Sequence, residues 1–130
     1  MTDEDAAVEV VRLYIEALVA RDYDNAAKLY NGETADELRE NAEQSGTKYI
    51  RFIATGKPVL EPDYGPRVYS VPYAYEIETS KGERVVAGRR DKVLFAKPGI
   101  EKELDLKLHD RMLVRPVVNQ PNRWIIVIDH

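Results

Sequence analysis

The sequence predicts an α+β domain in which N-terminal helices pack on a strongly curved antiparallel sheet, the whole cone-shaped. Three observations lead there. Apolar residues recur at helical spacing from the N-terminus to Gly46, and beyond it the period falls to two. The alternating segments are joined by short turn-forming links, with no repeat and no low-complexity linker. Pro72 and Pro116 fall inside strand patterns, where each removes a ladder donor and marks a bulge or an edge, and a bulged sheet bends.

The first helix is expected from Ala6 to Ala20, opened by a capping box of Thr2 and Asp5. Its polar residues Glu9, Arg12 and Glu16 recur every three or four positions, so only a narrow strip faces water and the helix must be covered on several sides. Asp22 caps a second helix, Asp24 to Tyr30, which closes at Asn31-Gly32 through a positive φ. Thr34 and Glu37 form a stricter capping box for a third helix, Ala35 to Ser45, ended by Gly46. Little of this helix is apolar beyond Ala35, Leu38 and Ala42, which makes it a surface helix against an edge.

Tyr49 to Leu60 is β-rich, and a strand follows in which Tyr69, Val71, Tyr73, Tyr75 and Ile77 share one face. Ser70, Ala74, Glu76 and Glu78 share the other. Ser80-Lys-Gly82 turns the chain into Glu83 to Gly88. Further strands are expected at Val93 to Phe95, stopping at Pro98-Gly99, and then from Leu104 through Leu108 and on to Val118. A four-residue hairpin loop, Asn119 to Asn122, leads into a last strand, Trp124 to Asp129.

Composition bounds the class. A chain of 130 residues, 44% apolar and 32% charged, makes one domain over residues 1–130. At this size about two thirds of the unfolded surface is hidden on folding, so a core needs no disulfide or metal, in keeping with the absence of cysteine. A net charge of −4 and a pI near 5.3 argue against nucleic acid as a partner. The longest apolar run falls far short of the ~18 residues of a membrane span, so no membrane insertion is expected. The acidic N-terminus is unlike a signal peptide, which points to the cytoplasm, or to an extracytoplasmic site if a leader precedes the chain.

Two segments resemble nuclear transport factor 2-like proteins. One is Val10-Val-Arg-Leu-Tyr-Ile-Glu-Ala-Leu-Val-Ala-Arg-Asp-Tyr-Asp-Asn-Ala-Ala-Lys-Leu-Tyr30, similar to their long helix, tight turn and short helix; the other, Arg123-Trp-Ile-Ile-Val-Ile-Asp129, is similar to their last strand. The resemblance implies a cone whose helices close the mouth of a bent sheet around an apolar cavity, the usual place for a small ligand. It implies no single activity. Among steroid isomerase-like members a first-helix Tyr holds the oxyanion, and Tyr14 matches that position. The family's strand carboxylate does not carry over, because Glu33 to Ser45 reads here as a capped polar helix.

The pocket-lining candidates are Tyr14, Leu18, Tyr69, Tyr73, Tyr75 and Trp124, all on apolar faces. No catalytic residue is assigned. His109 shares strand parity with Asp105 and Lys107, which places it on the wet face, and His130 is useful only if the strand end folds inward. Two histidines without ligand spacing make no metal site, and no cofactor is expected. Arg89, Arg90 and Asp91 read as a charged strand edge that discourages pairing.

Two functions fit these residues. The first is a binding or protein-interaction module with an apolar cone pocket and a small apolar molecule as partner. The second is a small, cofactor-independent lyase or isomerase for an apolar carbonyl-bearing substrate, with Tyr14 as hydrogen-bond donor. A homodimer through the sheet is also expected, because Ser70 and Ala74 leave one sheet face shallow.

Overall fold

The computed structural model describes residues 2–87 and 110–127. Helix α1 runs Asp3–Val19, α2 Tyr23–Leu29 and α3 Ala35–Ser45; the strands are β1 Lys48–Thr55, β2 Val59–Leu60, β3 Tyr69–Glu78, β4 Arg84–Ala87, β5 Arg111–Val117 and β6 Gln120–Val127. Three helices pack against a strongly curved antiparallel sheet, the α+β cone the periodicity predicts. The expected strands at Val93 to Phe95 and Leu104 to Leu108, the Arg89-Arg90-Asp91 edge, His109 and His130 lie outside the described residues.

Both capping boxes form, Thr2 with Asp5 and Thr34 with Glu37, each satisfying orphan N–H groups in both directions. Along α1 the buried residues Ala7, Val10, Val11, Tyr14, Ile15 and Leu18 repeat at three- and four-residue steps and face the sheet. The opposite side is more open than its apolar content predicts. Leu13 is 41% exposed, at the floor of a groove with Ala17, Leu29 and Trp124, while Arg12 bridges Glu9 and Glu16 beside it.

The bend centres on β3. Its first half lies between β2 and β5, its second half between β1 and β4. Pro72 sits at the changeover, where its carbonyl accepts a hydrogen bond from Gly56 N at 2.9 Å. On the neighbouring strand, register shifts at Tyr49/Arg51 and Phe52/Ala54 add twist. The β-rich stretch from Tyr49 to Leu60 forms two strands, separated at Gly56-Lys57-Pro58, where Pro58 cannot donate to a ladder. Pro116 stands at a further bulge, opposite Trp124.

Two turns differ from expectation. The last hairpin loop is Val118-Asn119, with Asn119 at φ 64°, and Gln120 already pairs with Val117. Asn tolerates the left-handed region, so the turn closes in two residues and Pro121 and Asn122 pass into the bulged strand. Helix α2 leaves its last turn through Tyr30 in extended geometry, φ −140°, where Tyr30 forms a parallel bridge to Ile126. Neither Asn31 nor Gly32 has a positive φ.

Val71, Val114, Trp124 and Ile126 line the inner sheet face against α1. On the outer face Ser70 and Ala74 are 3% and 0% exposed within one chain. Glu76 on that face is 5% exposed and pairs with Arg51 at 3.0 Å and Arg84 at 3.6 Å. Both arginines keep contact with water, so Glu76→Ala is expected to destabilise by about 2 kcal/mol, below the full penalty of orphaning a buried charge. Urea denaturation measures this, and a loss within error of zero would show the pair to be ornamental.

Candidate functional site

A cavity of about 310 Å³ opens between α1, the α2–α3 link, α3 and the adjoining ends of β5 and β6. Its polar wall is Tyr14 from α1, Tyr30 and Glu33 from the link, Asn41 from α3, Tyr49 from β1 and Arg111 at the start of β5. Leu38, Met112 and Ile126 form its apolar wall.

Local structure places each polar group. Tyr30 is pinned at its backbone by the bridge to Ile126, and Asn31 N donates to the Ile126 carbonyl at 3.1 Å. Its ring meets that of Tyr14 at a centroid separation of 5.5 Å and an interplanar angle of 62°, an edge-to-face pair that makes two walls of a corner. Gly32 is required by this packing rather than by its dihedrals, because a Cβ there would overlap the Tyr30 phenol. Gly32→Ala is therefore expected to push the Tyr30 ring out of the corner and cost about 1–2 kcal/mol. A variant as stable as the parent in urea would mean the ring moves without loss.

Glu33 follows directly and precedes the Thr34 N-cap of α3. The cap is completed by Glu37, which leaves the Glu33 carboxylate available to the cavity, where Asn41 Nδ2 donates to it at 3.0 Å. Burial pushes the Tyr14, Tyr30 and Tyr49 hydroxyls above the ordinary phenol range, and the charge of Glu33 adds to the rise at all three. These tyrosines stay neutral at physiological pH, so each offers a hydroxyl donor beside one carboxylate acceptor.

The six candidate residues are distributed. Tyr14 is on the cavity wall, 8% exposed. Leu18 borders a neighbouring hollow with Tyr23, Arg39 and Lys48, which shares Tyr49 with the cavity. Tyr73 and Tyr75 stack at 5.8 Å, and Tyr75 meets Tyr49 at 5.8 Å, so these two rings form the packing behind Tyr49. Tyr69 lies against Trp124 at 6.1 Å, and Trp124 borders the groove beneath Leu13. Glu33, Asn41, Tyr30 and Tyr49 were not singled out from the sequence. The available signal was Tyr30-Asn-Gly32-Glu33, where a carboxylate stands just outside a capping box that another Glu completes.

No helix among the described residues is long and apolar enough to cross a membrane. In comparison with known proteins, no family model and no curated sequence matches the chain.

Proposed function

We propose that the chain is a small-ligand-binding module of the nuclear transport factor 2-like kind. The ligand sits in the cavity with an apolar body on Leu38, Met112 and Ile126 and a polar end at Tyr14, Tyr30 and Glu33. The observation that carries this reading is a cavity of about 310 Å³ that joins apolar walls to a few convergent polar groups. Native mass spectrometry of freshly purified protein is expected to show a co-purifying small molecule whose occupancy falls in Tyr14→Phe. A chain that carries nothing, and that binds no member of a small-molecule library by ligand-observed NMR, would sink the reading.

One observation favours the lyase or isomerase alternative. Glu33 supplies a carboxylate in the same cavity as the Tyr14 hydroxyl, and Tyr14 remains protonated and able to donate to a developing oxyanion. Deuterium exchange into a bound ketone α to its carbonyl, lost in Glu33→Gln, separates this reading from simple binding.

A further inference from the structure

We propose that the corner formed by Tyr14, Tyr30, Tyr49 and Glu33 selects a small organic cation, an ammonium head on a short apolar body. This rests on the cavity being a ligand site, as proposed above.

The carboxylate comes first. Glu33 borders the cavity, and among the described residues no lysine or arginine lies within ion-pair distance of it. Among the described residues its side-chain hydrogen bond is from the Asn41 amide, which does not neutralise its charge. A neutral ligand that excluded water from this carboxylate would leave it poorly compensated, and an anionic one would be repelled. A cation supplies the missing counter-charge.

The aromatic walls act in the same direction. Ring faces and phenol oxygens both present negative potential, and a cluster of aromatic rings beside a carboxylate is the arrangement that holds alkylated ammonium groups. The 62° angle between the Tyr14 and Tyr30 rings gives a corner rather than a flat stack, a shape that suits a rounded head better than a planar one. Hydroxyls that stay protonated keep these walls free of full charge, which leaves Glu33 as the carboxylate of the corner among the described residues.

Arg111, the cation at the cavity's border, is directed elsewhere. It stands in register with Pro72, and its guanidinium donates to Ser70 Oγ at 3.1 Å on the outer sheet face. Ser70 in turn donates to Glu61 at 2.8 Å, so a carboxylate stands at the far end of this outer-face chain. The Arg111 guanidinium is thus drawn toward the outer face, away from Glu33.

The test compares choline with the uncharged alcohol in which carbon replaces its nitrogen, by ligand-observed NMR on the intact chain. Choline is expected to bind about tenfold more tightly than this isostere, and Glu33→Gln is expected to remove most of that preference. Asn41→Asp places a second negative charge at the same spot and is expected to tighten choline binding several-fold at pH 8, a gain that a folding defect would not produce. Equal binding of the two probes, or an unchanged preference in Glu33→Gln, overturns the cation assignment and leaves the ligand cavity standing. Binding of neither probe overturns the assignment too, and together with the absence of any co-purifying molecule it overturns the proposed function as well.

Discussion

Alkaline titration is expected to unfold the chain cooperatively between about pH 10 and about pH 12, through tyrosines that the fold keeps protonated. Tyr73 is pushed up to about 12, first by burial and then by the charge of Asp110. Tyr75 and Tyr14 are raised further, again mainly by burial, with neighbouring tyrosines adding to it. The neutral form is the protonated one, so below the unfolded phenol value near 10 both states hold their protons and these groups contribute no pH dependence. Above it the unfolded chain releases protons that the folded chain retains, and stability falls until the folded groups ionise as well. At pH 12 Tyr73 alone removes about 2 kcal/mol, allowing for its partial exposure. Tyr14 and Tyr75 each remove at least as much, and the total is comparable with the net stability of a typical domain, roughly 5–15 kcal/mol. Phenolate absorbance and far-UV circular dichroism followed together decide the matter. The expected result is a group of phenols that ionises late and in step with loss of structure. Ionisation of all eight tyrosines near pH 10 with the circular dichroism unchanged would show that the cluster is wet.

Trp124→Ala is expected to cost about 4 kcal/mol, the largest loss from any single substitution considered. Trp124 is 8% exposed and packs against Tyr69 on the inner sheet face, opposite the bulge at Pro116. The Arg67 guanidinium lies 5.3 Å above its ring, and Arg67 also pairs with Asp3 in the first turn of α1 at 2.8 Å. The indole therefore closes the core and seats an arginine that ties the β2–β3 loop to the helix start. Trp124→Phe keeps an aromatic ring in place and is expected to lose less than half as much. Because Trp124 is the single tryptophan, urea unfolding is followed by circular dichroism. A loss below about 1 kcal/mol for Trp124→Ala would mean that the groove on its far side collapses to fill the space.

The local signals in the sequence were direct. Thr2/Asp5 and Thr34/Glu37 are complete chemical instructions for a helix start, and both capping boxes form. Gly46 ends α3 in the left-handed region at φ 66°, as its position after Ser45 predicts. The site was less legible. Tyr14 is legible through the resemblance of the first helix, whereas the sequence predicts that Tyr30 continues a helix it instead leaves to pair with Ile126. That pairing joins residues far apart in the chain, and no local pattern encodes it. Glu33 was assigned to a polar helix for the same reason: its role depends on which side chains fold against the link, and the link itself carries no period.

The face assignment along β3 shows the same division. Alternation correctly separates Tyr69, Val71, Tyr73 and Tyr75 from Ser70, Ala74 and Glu76, since successive side chains point to opposite faces. It does not say that outer-face residues are buried too, as Glu76 and Ala74 are. The sequence by itself determined the fold class, the helix boundaries to within a few residues, and the inner face of the sheet, because these follow from periodicity and capping within short stretches. The tertiary structure alone decided that α2 and β6 meet at Tyr30, that β3 changes partners at Pro72, and that Glu33 faces three tyrosines across a cavity. Each of these is a contact between segments distant in the chain, set by how the whole core packs rather than by any residue's own preference.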